Sequence, residues 1–433
     1  MKIRIRKGTA HGRVSAPPSK SMAHRVLICA GLADGTSVLQ GISDSQDMQA
    51  TLDCLTALGA RWRKEGETVT IRGIGGLFTD DQPGTAQANA NNSGRAGTAG
   101  LAVAEPILRC RESGSTLRFF IPICLQTGRR MQLVGASRLM ERPLGVYEQI
   151  CRERRLFFEQ DAQMLTVQGP LTAGTFQIPG NISSQFISGL LLALPMCEGD
   201  SVLSIVPPIE SRPYIDMTLA ALQKFGVNAT WQDAQTLRIP GGQTYQACST
   251  QVEGDFSNAA FFAALAALRP ENRIIVDNLP EPEHSMQADR VYPTLLAQLE
   301  RLEPCIDLSD CPDLGPILFA VAAVKHGARF IGTKRLKIKE SDRGEAMAEE
   351  LRKFGVSVTV EENEIRVAPP AEELAAPTEA LRGHNDHRIV MSEAVLLTLT
   401  GGEIDGAEAT AKSFPDFFDK LQDLGIEVQN IEN

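Results

Sequence analysis

The chain has 433 residues, a hydrophobic content of 43% and a formal net charge of −10. Because one hydrophobic core seldom supports that length, we expect two domains. The acidic balance argues against a general nucleic-acid binder, which needs a basic face, but it is compatible with a local basic pocket. Nine cysteines form no CxxC pair, a pattern typical of free thiols in a reducing compartment.

The N-terminal residues, MKIRIRKGTAHGRV, alternate charged and apolar side chains and predict a strand rather than a signal peptide. The longest apolar runs, such as residues 315–324, are far shorter than the ~20 residues that span a bilayer. We therefore expect a cytoplasmic, monomeric protein that binds neither membranes nor nucleic acid.

One local pattern recurs along the chain. Amphipathic helices are predicted to end in similar glycine-containing hexapeptides at residues 55–60, 222–227, 351–356 and 421–426. Alternating hairpin patterns follow three of them, at 61–73, 228–241 and 357–369, and weaker copies lie at 147–169 and 295–308. Such helix endings are common in α/β proteins, but the hairpins favour about six repeated units, arranged as two pseudo-symmetric domains.

Residues 79–100 break this pattern. They are rich in Ala, Asn, Gly and Thr and contain almost no large apolar side chain, which predicts a mobile surface insertion. Within them NNSGRAGTAG resembles the stretch ESGSTLRFF at 112–120. Both could wrap an anion, but only the second leads into a predicted helix.

Several predicted helix starts and loops carry Ser, Gly, Lys or Arg. Backbone N–H groups and the helix dipole favour anions at such positions. The candidates are Lys20, Ser21 and Arg25; Gly114 and Arg118; Arg138 and Arg142; Ser183, Ser184 and Gln185; Ser211; and Lys412. Each alone is more often ordinary, since a lysine near a helix start is usually solvated and a serine there is usually an N-cap. Together, in an acidic chain, they indicate a cleft for a highly anionic ligand.

The C-terminal half holds the acid–base candidates. Asp313 precedes an apolar helix, and Lys339, Glu340 and Arg343 precede another. Carboxylates among cations are suited to proton transfer. His384, Asp386 and His387 could suggest a metal, but no further ligand cluster supports one, so we expect none.

The chain resembles the 5-enolpyruvylshikimate-3-phosphate synthase family. The motifs appear in the family's order from Pro17 to Phe418: PPSKSMAHR, ESGSTLRFF, SRLMERP, SSQF, ESRPYID, VEGDFSNAAFF, CPD, IKESDR, NDHRIVM and KSFPDFF. The resemblance implies enolpyruvyl transfer from phosphoenolpyruvate to the 5-hydroxyl of shikimate 3-phosphate, by addition and elimination and without any cofactor. It also implies that the herbicide glyphosate competes with phosphoenolpyruvate, near Gly114.

The implied fold is α/β (α+β), with two pseudo-threefold domains of three βαβαββ units each (an inverse α/β prism) joined by a double-stranded hinge. We expect one discontinuous domain from residues 1–18 and 253–433 and an inserted domain from 19–252.

The family's functional residues map onto this chain by motif. The implied catalytic residues are Asp313, Glu340 and Lys20. Those implied to bind shikimate 3-phosphate are Lys20, Ser21, Arg25, Ser183, Ser184, Gln185, Ser211, Asp313 and Lys339. Those implied to bind phosphoenolpyruvate are Lys20, Gly114, Arg138, Gln185, Arg343, Arg388 and Lys412.

Two positions depart from the family pattern, and two other functions compete. Pro18 stands where glycine is common, and Arg335 stands where some members carry asparagine. The related UDP-N-acetylglucosamine enolpyruvyl transferase would carry a reactive cysteine, for which Cys110 is the candidate. A non-enzymatic anion-binding scaffold is the other alternative, and it would not need Asp313 and Glu340.

Overall fold

The computed structural model describes residues 1–75 and 105–431. The predicted insertion at 79–100, including its NNSGRAGTAG stretch, therefore lies outside the described residues.

The helices in chain order are α1 (Lys20–Leu32), α2 (Gln46–Ala57), α3 (Gly114–Gln126), α4 (Ser137–Met140), α5 (Gly145–Arg154), α6 (Ser184–Ala193), α7 (Arg212–Lys224), α8 (Phe256–Leu268), α9 (Tyr292–Gln298), α10 (Gly315–Val324), α11 (Arg343–Arg352), α12 (His387–Thr400) and α13 (Phe417–Asp423). Short 3₁₀ helices include Pro312–Leu314, Lys334–Ile338 and Ala407–Lys412.

The strands up to the middle of the chain are β1 (Lys2–Ile5), β2 (His11–Ser15), β3 (Thr36–Gln40), β4 (Arg61–Glu65), β5 (Thr68–Arg72), β6 (Ile107–Arg111), β7 (Arg130–Gly135), β8 (Phe157–Gln160), β9 (Met164–Gln168), β10 (Thr175–Pro179), β11 (Ser201–Val206), β12 (Thr230–Trp231) and β13 (Thr236–Ile239). The remaining strands are β14 (Ser249–Gln251), β15 (Arg273–Asp277), β16 (Cys305–Asp307), β17 (Ala328–Ile331), β18 (Ser357–Val360), β19 (Glu364–Ala368), β20 (Leu381–Arg382), β21 (Gly402–Asp405) and β22 (Val428–Asn430).

The sheets repeat one plan, which confirms the predicted units. Among the described residues, five four-stranded sheets each place a parallel pair beside an antiparallel pair, as in the order β6-β7-β9-β8. A sixth sheet pairs β2 with β15 in parallel. In a parallel pair the chain must cross over, and helices cover these crossovers. The five sheets of this plan and the β2–β15 pair match the predicted mixed α/β fold.

The glycines that end the repeated helices adopt the left-handed backbone that the hexapeptides predict. Their φ angles are 108° at Gly59, 74° at Gly226, 82° at Gly355 and 93° at Gly425. A side chain would be strained at these values, so glycine is favoured there. The hairpins predicted after the helices form as β4–β5, β12–β13 and β18–β19.

One weaker copy is corrected by the structure. The stretch 147–169 does form a helix followed by the β8–β9 hairpin. The stretch 295–308 instead ends in β16, which pairs in parallel with β17 and so begins the next sheet. The alternating pattern within 295–308 is too short to predict which strand β16 pairs with.

The buried apolar side chains form two separate clusters. One runs from Met22 to Val252, and the other combines residues Ile3 to Ala16 with Phe256 to Val428. Two chain crossings join them side by side: Ser19 N donates to the Glu253 carbonyl at 2.8 Å, and Asp255 N donates to the Pro17 carbonyl at 2.7 Å. We call the two parts the inserted and the discontinuous domain, and their boundaries at 18/19 and 252/253 stay a prediction.

Within the described residues, every helix is too short or too polar to traverse a bilayer.

Candidate active site

A cleft lies between the two domains. Its lining consists of Lys20, Ser21, Arg25, Asp47, Gly114, Ser115, Arg118, Phe119, Arg142, Ile182, Ser183, Ser184, Gln185, Ser211, Tyr214, Asp313, Arg335, Ile338, Lys339, Glu340, Arg343, His387 and Arg388. Eight of these side chains are Lys or Arg, and three are carboxylates. The cleft is therefore strongly basic inside an acidic protein, and such a cleft concentrates anions.

The inserted domain contributes helix starts rich in hydroxyl groups, which we name the hydroxyl wall (Ser21, Ser115, Ser183, Ser184 and Ser211). Ser19 caps α1 by accepting from Met22 N, Ser113 caps α3 and Ser183 caps α6. The serine N-cap interpretation of Ser183 is thus correct, and the same serine also lines the cleft. The capped helices direct backbone N–H groups and positive dipole ends toward the cleft.

Arg25 is fixed behind this wall. Its side chain is 2% exposed. Its Nε donates to Thr218 Oγ1 at 2.8 Å, and its Nη groups donate to the carbonyls of Ser21 at 2.6 Å and Tyr214 at 3.0 Å. These bonds preorganise a cation between α1 and α7.

Lys20 forms an ion pair that sequence patterns did not reveal. Its Nζ lies 3.0 Å from Asp47 Oδ2, and both side chains are largely buried. Burial alone would lower the pKa of Lys20, but the carboxylates of Asp47 and Glu340 outweigh it and raise that pKa. Lys20 is consequently a charged ammonium group. Glu340, which belongs to the opposite domain, contributes to the rise in its pKa.

Gly114 lies beside a pair of arginines. Arg118 donates to Gln185 Oε1 at 2.6 Å, and Gln185 Nε2 donates to Ser115 Oγ at 2.9 Å. A Cβ atom at Gly114 would come within 2.5 Å of Arg142 Nη1. Glycine therefore lets the Arg142 guanidinium approach the start of α3 closely.

The discontinuous domain contributes a network of charges, which we name the ion-pair wall (Asp313, Lys339, Glu340, Arg343 and Arg388). At its centre Arg343, 1% exposed, donates to three carboxylates: Asp313 at 2.9 Å, Glu340 at 2.7 Å and Asp386 at 2.8 Å. Lys339 and Arg388 also contact Asp313, at 3.0 and 3.2 Å. Buried charges are tolerated when they are paired in this way.

Both carboxylates of this wall are held ionised. Burial would raise the pKa of Asp313, but the charges of Arg388 and Lys339 outweigh it and place that pKa well below its usual value. Burial would likewise raise the pKa of Glu340, but Arg343 and Arg142 outweigh it and lower it well below its usual value. Each group is therefore ionised and can accept a proton.

His387 is a cleft residue that the sequence suggested only as a metal ligand. It is 1% exposed, and neither ring nitrogen has a hydrogen-bond partner. Burial, followed by the charge of Lys20, lowers its pKa well below the usual value, so the ring is neutral. His384 points elsewhere and pairs with Glu350 at 3.0 Å, so the two histidines do not converge on one ion.

Among the described residues, one cluster has a donor set that could hold a metal: Glu349, Glu350 and His384. It lies outside the cleft lining, and Lys353 Nζ contacts Glu350 at 2.8 Å. An ammonium group at that distance already compensates the buried carboxylate.

The structure brings thirteen of the fifteen predicted site residues to the cleft. The two exceptions are Arg138 and Lys412. The Arg138 side chain is 55% exposed and pairs with Glu141, while Arg142 lines the cleft, so a role for Arg138 at the site stays a prediction. Helix α4 ends at Met140, between the two arginines. Lys412 lies outside the lining and contacts Glu112 and the Asn385 carbonyl.

Asp47, Arg118, Arg142, Tyr214, Arg335 and His387 are the main lining residues absent from the predicted set. Arg335 was set aside because it departs from the family pattern, and its Nε lies 2.6 Å from Glu210 Oε2 of the inserted domain. The N–H bond does not point at the carboxylate, so this is an ion pair without a hydrogen bond.

Comparison with known proteins identifies the family of the chain. The sequence model described as "EPSP synthase (3-phosphoshikimate 1-carboxyvinyltransferase)" matches residues 6–104 and 95–421. A 3-phosphoshikimate 1-carboxyvinyltransferase of Clostridium kluyveri is 34% identical, with 98% of each chain covered. The protein of the same name from Clostridium beijerinckii is 36% identical, with 98% of this chain and 97% of the relative covered.

Solved structures show the same fold. An EPSP synthase structure from Acinetobacter baumannii superposes with a TM-score of 0.73 at 22% identity, covering 99% of this chain and 100% of the other. A second structure of EPSP synthase from that organism gives 0.74 at 21% identity, with both chains fully covered. By fold, by sequence and by the order of its motifs, the chain belongs to the EPSP synthase (3-phosphoshikimate 1-carboxyvinyltransferase) family.

Proposed function

We propose that the cleft binds shikimate 3-phosphate and phosphoenolpyruvate side by side and transfers the enolpyruvyl group to the 5-hydroxyl, releasing phosphate. This is the reaction of the family to which the chain belongs. One observation carries the assignment of residues: Arg343 joins Asp313 and Glu340, at 2.9 and 2.7 Å, inside a cleft with eight cationic side chains. Binding two phosphates and two carboxylates needs such cations, and the chemistry needs two placed carboxyl groups.

Shikimate 3-phosphate is assigned to the hydroxyl wall. Ser183, Ser184 and Ser211 would bind its phosphate, with Lys339 nearby, while Ser21 and Arg25 would hold its carboxylate. The capped start of α6 and the fixed Arg25 guanidinium support this orientation.

Phosphoenolpyruvate is assigned to the space between Gly114 and the ion-pair wall. Lys20, Gln185, Arg343 and Arg388 would bind it, with Lys412 at the rim. Arg138 would bind it as predicted, and Arg142, whose guanidinium lies against Gly114, would add a further cation. Bidentate guanidinium groups suit both the phosphate and the carboxylate of this substrate.

In the addition step, Asp313 accepts the proton of the 5-hydroxyl as its oxygen bonds to C2 of phosphoenolpyruvate. The electrons of the C2–C3 double bond take a proton from the carboxyl group of Glu340, and C3 becomes a methyl group. Lys20 stabilises the charged oxygens near C2. The product is a tetrahedral intermediate that still carries its phosphate.

In the elimination step, Glu340 removes a proton from that methyl group, and the double bond re-forms as the C2–O bond to phosphate breaks. The departing phosphate takes up a proton from Asp313 or from a neighbouring acid. Every proton in this scheme moves through a side chain of the cleft, so the scheme requires neither a metal nor an organic cofactor.

Glu340 must be protonated before the addition step, although the charges of Arg343 and Arg142 lower its pKa. Binding of the anionic substrates would allow this protonation. The substrates form ion pairs with Arg343 and Arg142 and add negative charge beside Glu340. Both changes raise the pKa of Glu340 toward the range of a general acid.

The alternative function, transfer to a UDP-sugar, is not supported by Cys110, the one residue that favoured it. Cys110 is fully buried in β6 and does not line the cleft. Lys20 is followed by Ser21 rather than by the asparagine that the sugar-nucleotide enzyme carries. We also propose that the chain acts as a monomer, because both cleft walls belong to one chain.

The test is release of phosphate from phosphoenolpyruvate with each acceptor in turn. We expect release with shikimate 3-phosphate and none with UDP-N-acetylglucosamine. The opposite pattern would replace the proposal by its alternative, and release with neither would leave an anion-binding protein.

A further inference from the structure

A second contact between the domains lies just outside the cleft. Glu112, from the loop between β6 and α3, places Oε2 2.5 Å from Lys412 Nζ. Asn385 Nδ2 donates to the same oxygen at 2.9 Å, and Lys412 Nζ donates to the Asn385 carbonyl at 2.6 Å. We name these three residues the rim bridge.

The backbone on both sides of the rim bridge is held in uncommon conformations. Arg111, next to Glu112, has φ of 51°, and His384 and Asn385 have φ of 48° and 51°. Non-glycine residues adopt the left-handed region at a cost, so the surrounding structure must hold them there. Each turn leads directly into a helix that lines the cleft, α3 on one side and α12 on the other.

The rim bridge fixes a flexible side chain. The Lys412 side chain is only 6% exposed, whereas that of Glu112 is 37% exposed. A lysine has four rotatable bonds, and ordering it is costly unless its ammonium group is held. In the rim bridge the Lys412 ammonium group donates to the Asn385 carbonyl and forms an ion pair with the Glu112 carboxylate.

We propose that Glu112 is a positioning residue for phosphoenolpyruvate. It holds Lys412 at the edge of the cleft, so that less side-chain entropy is lost when the ammonium group binds the substrate. Glu112 touches no substrate atom in this scheme and acts through Lys412. The inference rests on the proposed function, since it assigns a task at the phosphoenolpyruvate end of the same cleft.

The experiment replaces Glu112 by glutamine, which keeps the size and one acceptor for Asn385 but removes the charge that holds Lys412. We expect KM for phosphoenolpyruvate to rise about tenfold, with kcat and KM for shikimate 3-phosphate within about twofold of wild type. In a Lys412→Met background the Glu112→Gln change should add no further rise, because its target is gone.

Glu210→Gln is the matched control. It removes a second acid-to-base contact between the domains, with Arg335, at the other end of the cleft. It should leave KM for phosphoenolpyruvate unchanged. An equal rise in both variants would show a general weakening of domain contact and overturn the proposal.

An unchanged KM for phosphoenolpyruvate in Glu112→Gln would also overturn it, and a lowered KM would show that Glu112 competes with the substrate for Lys412. Wild-type protein that releases no phosphate from phosphoenolpyruvate would instead refute the proposed function.

Discussion

The two walls of the cleft prepare for anions in different ways. The hydroxyl wall presents capped helix starts, with backbone N–H groups and a fixed Arg25, so a phosphate can enter without breaking any ion pair. In the ion-pair wall each charged side chain contacts another charged side chain, and Arg343 alone donates hydrogen bonds to three carboxylates. A ligand on this side must exchange those contacts for its own.

This difference suggests that the two walls control different kinetic parameters. A preformed wall supplies binding energy to substrate and transition state alike, which sets KM. A wall whose charges rearrange when the ligand arrives can change the protonation of Asp313 and Glu340, which sets the chemical rate. Variants of the ion-pair wall should therefore alter kcat, and variants of the hydroxyl wall should alter KM.

The largest effect is expected for Asp313→Ala. Loss of the proton acceptor should lower kcat about 10³-fold. Substrate binding should be kept, because Lys339, Arg343 and Arg388 lose an internal partner and become freer to bind anions. Single-turnover measurement with calorimetric binding of shikimate 3-phosphate separates the two effects, and near-normal turnover would refute the assigned role.

A smaller loss, about 10²-fold in kcat, is expected for Glu340→Gln, which cannot deliver a proton to C3. Exchange of solvent deuterium into the methylene group of the product should disappear with it. Asp342→Asn is the matched control, since Asp342 caps α11 through Glu345 N and does not line the cleft. That variant should cost about 1 kcal/mol of stability at most and leave kcat unchanged.

The contrast between the walls also explains what the sequence could predict. Ser183 and Gly114 sit at helix starts, and a helix start is a local pattern of cap, small residue and apolar run. The six repeated units were visible for the same reason, because helix ends and hairpins are local. The partners of buried charges are not local: Asp47 pairs with Lys20 across 27 positions, and Asp386 pairs with Arg343 across 43.

The choice between Arg138 and Arg142 shows the same limit at short range. The two arginines are four positions apart and would share a face of one continuous helix. Helix α4 ends at Met140, and of the two arginines Arg142 is the one that lines the cleft. Sequence periodicity does not indicate where so short a helix ends.

Gly114→Ala tests the start of α3, where Gly114 lies next to Ser115 of the hydroxyl wall and beside the proposed phosphoenolpyruvate site. The added methyl group would lie 2.5 Å from Arg142 Nη1, so the guanidinium must shift away from the subsite. We expect KM for phosphoenolpyruvate to rise about fivefold with a smaller change in kcat, and inhibition by glyphosate to weaken with it. Gly145→Ala is the control, because a Cβ atom there would meet nothing within 4 Å. Unchanged KM and unchanged inhibition in Gly114→Ala would refute the crowding.

The smallest effect concerns two buried histidines, one from each domain. Burial, followed by the charge of Lys20, lowers the pKa of both His24 and His387 well below the usual value. The folded protein therefore keeps them neutral, while the unfolded chain takes up a proton at each as the pH falls below about 6.5. Their stabilisation is complete above that pH and is lost toward the folded pKa, by about 1.4 kcal/mol per pH unit for each histidine.

Glutamine at either position should flatten the loss of stability between pH 7.5 and 5.5 in denaturant unfolding, whereas the exposed His11→Gln should not. The two variants should differ at pH 7.5. His24 Nδ1 lies 2.7 Å from Thr51 Oγ1, so His24→Gln also loses a buried hydrogen bond of about 1 kcal/mol. His387 has no such bond, so its replacement should change the slope alone. An unchanged slope in both would mean that water reaches these rings, and the lowered pKa values assigned to them would be wrong.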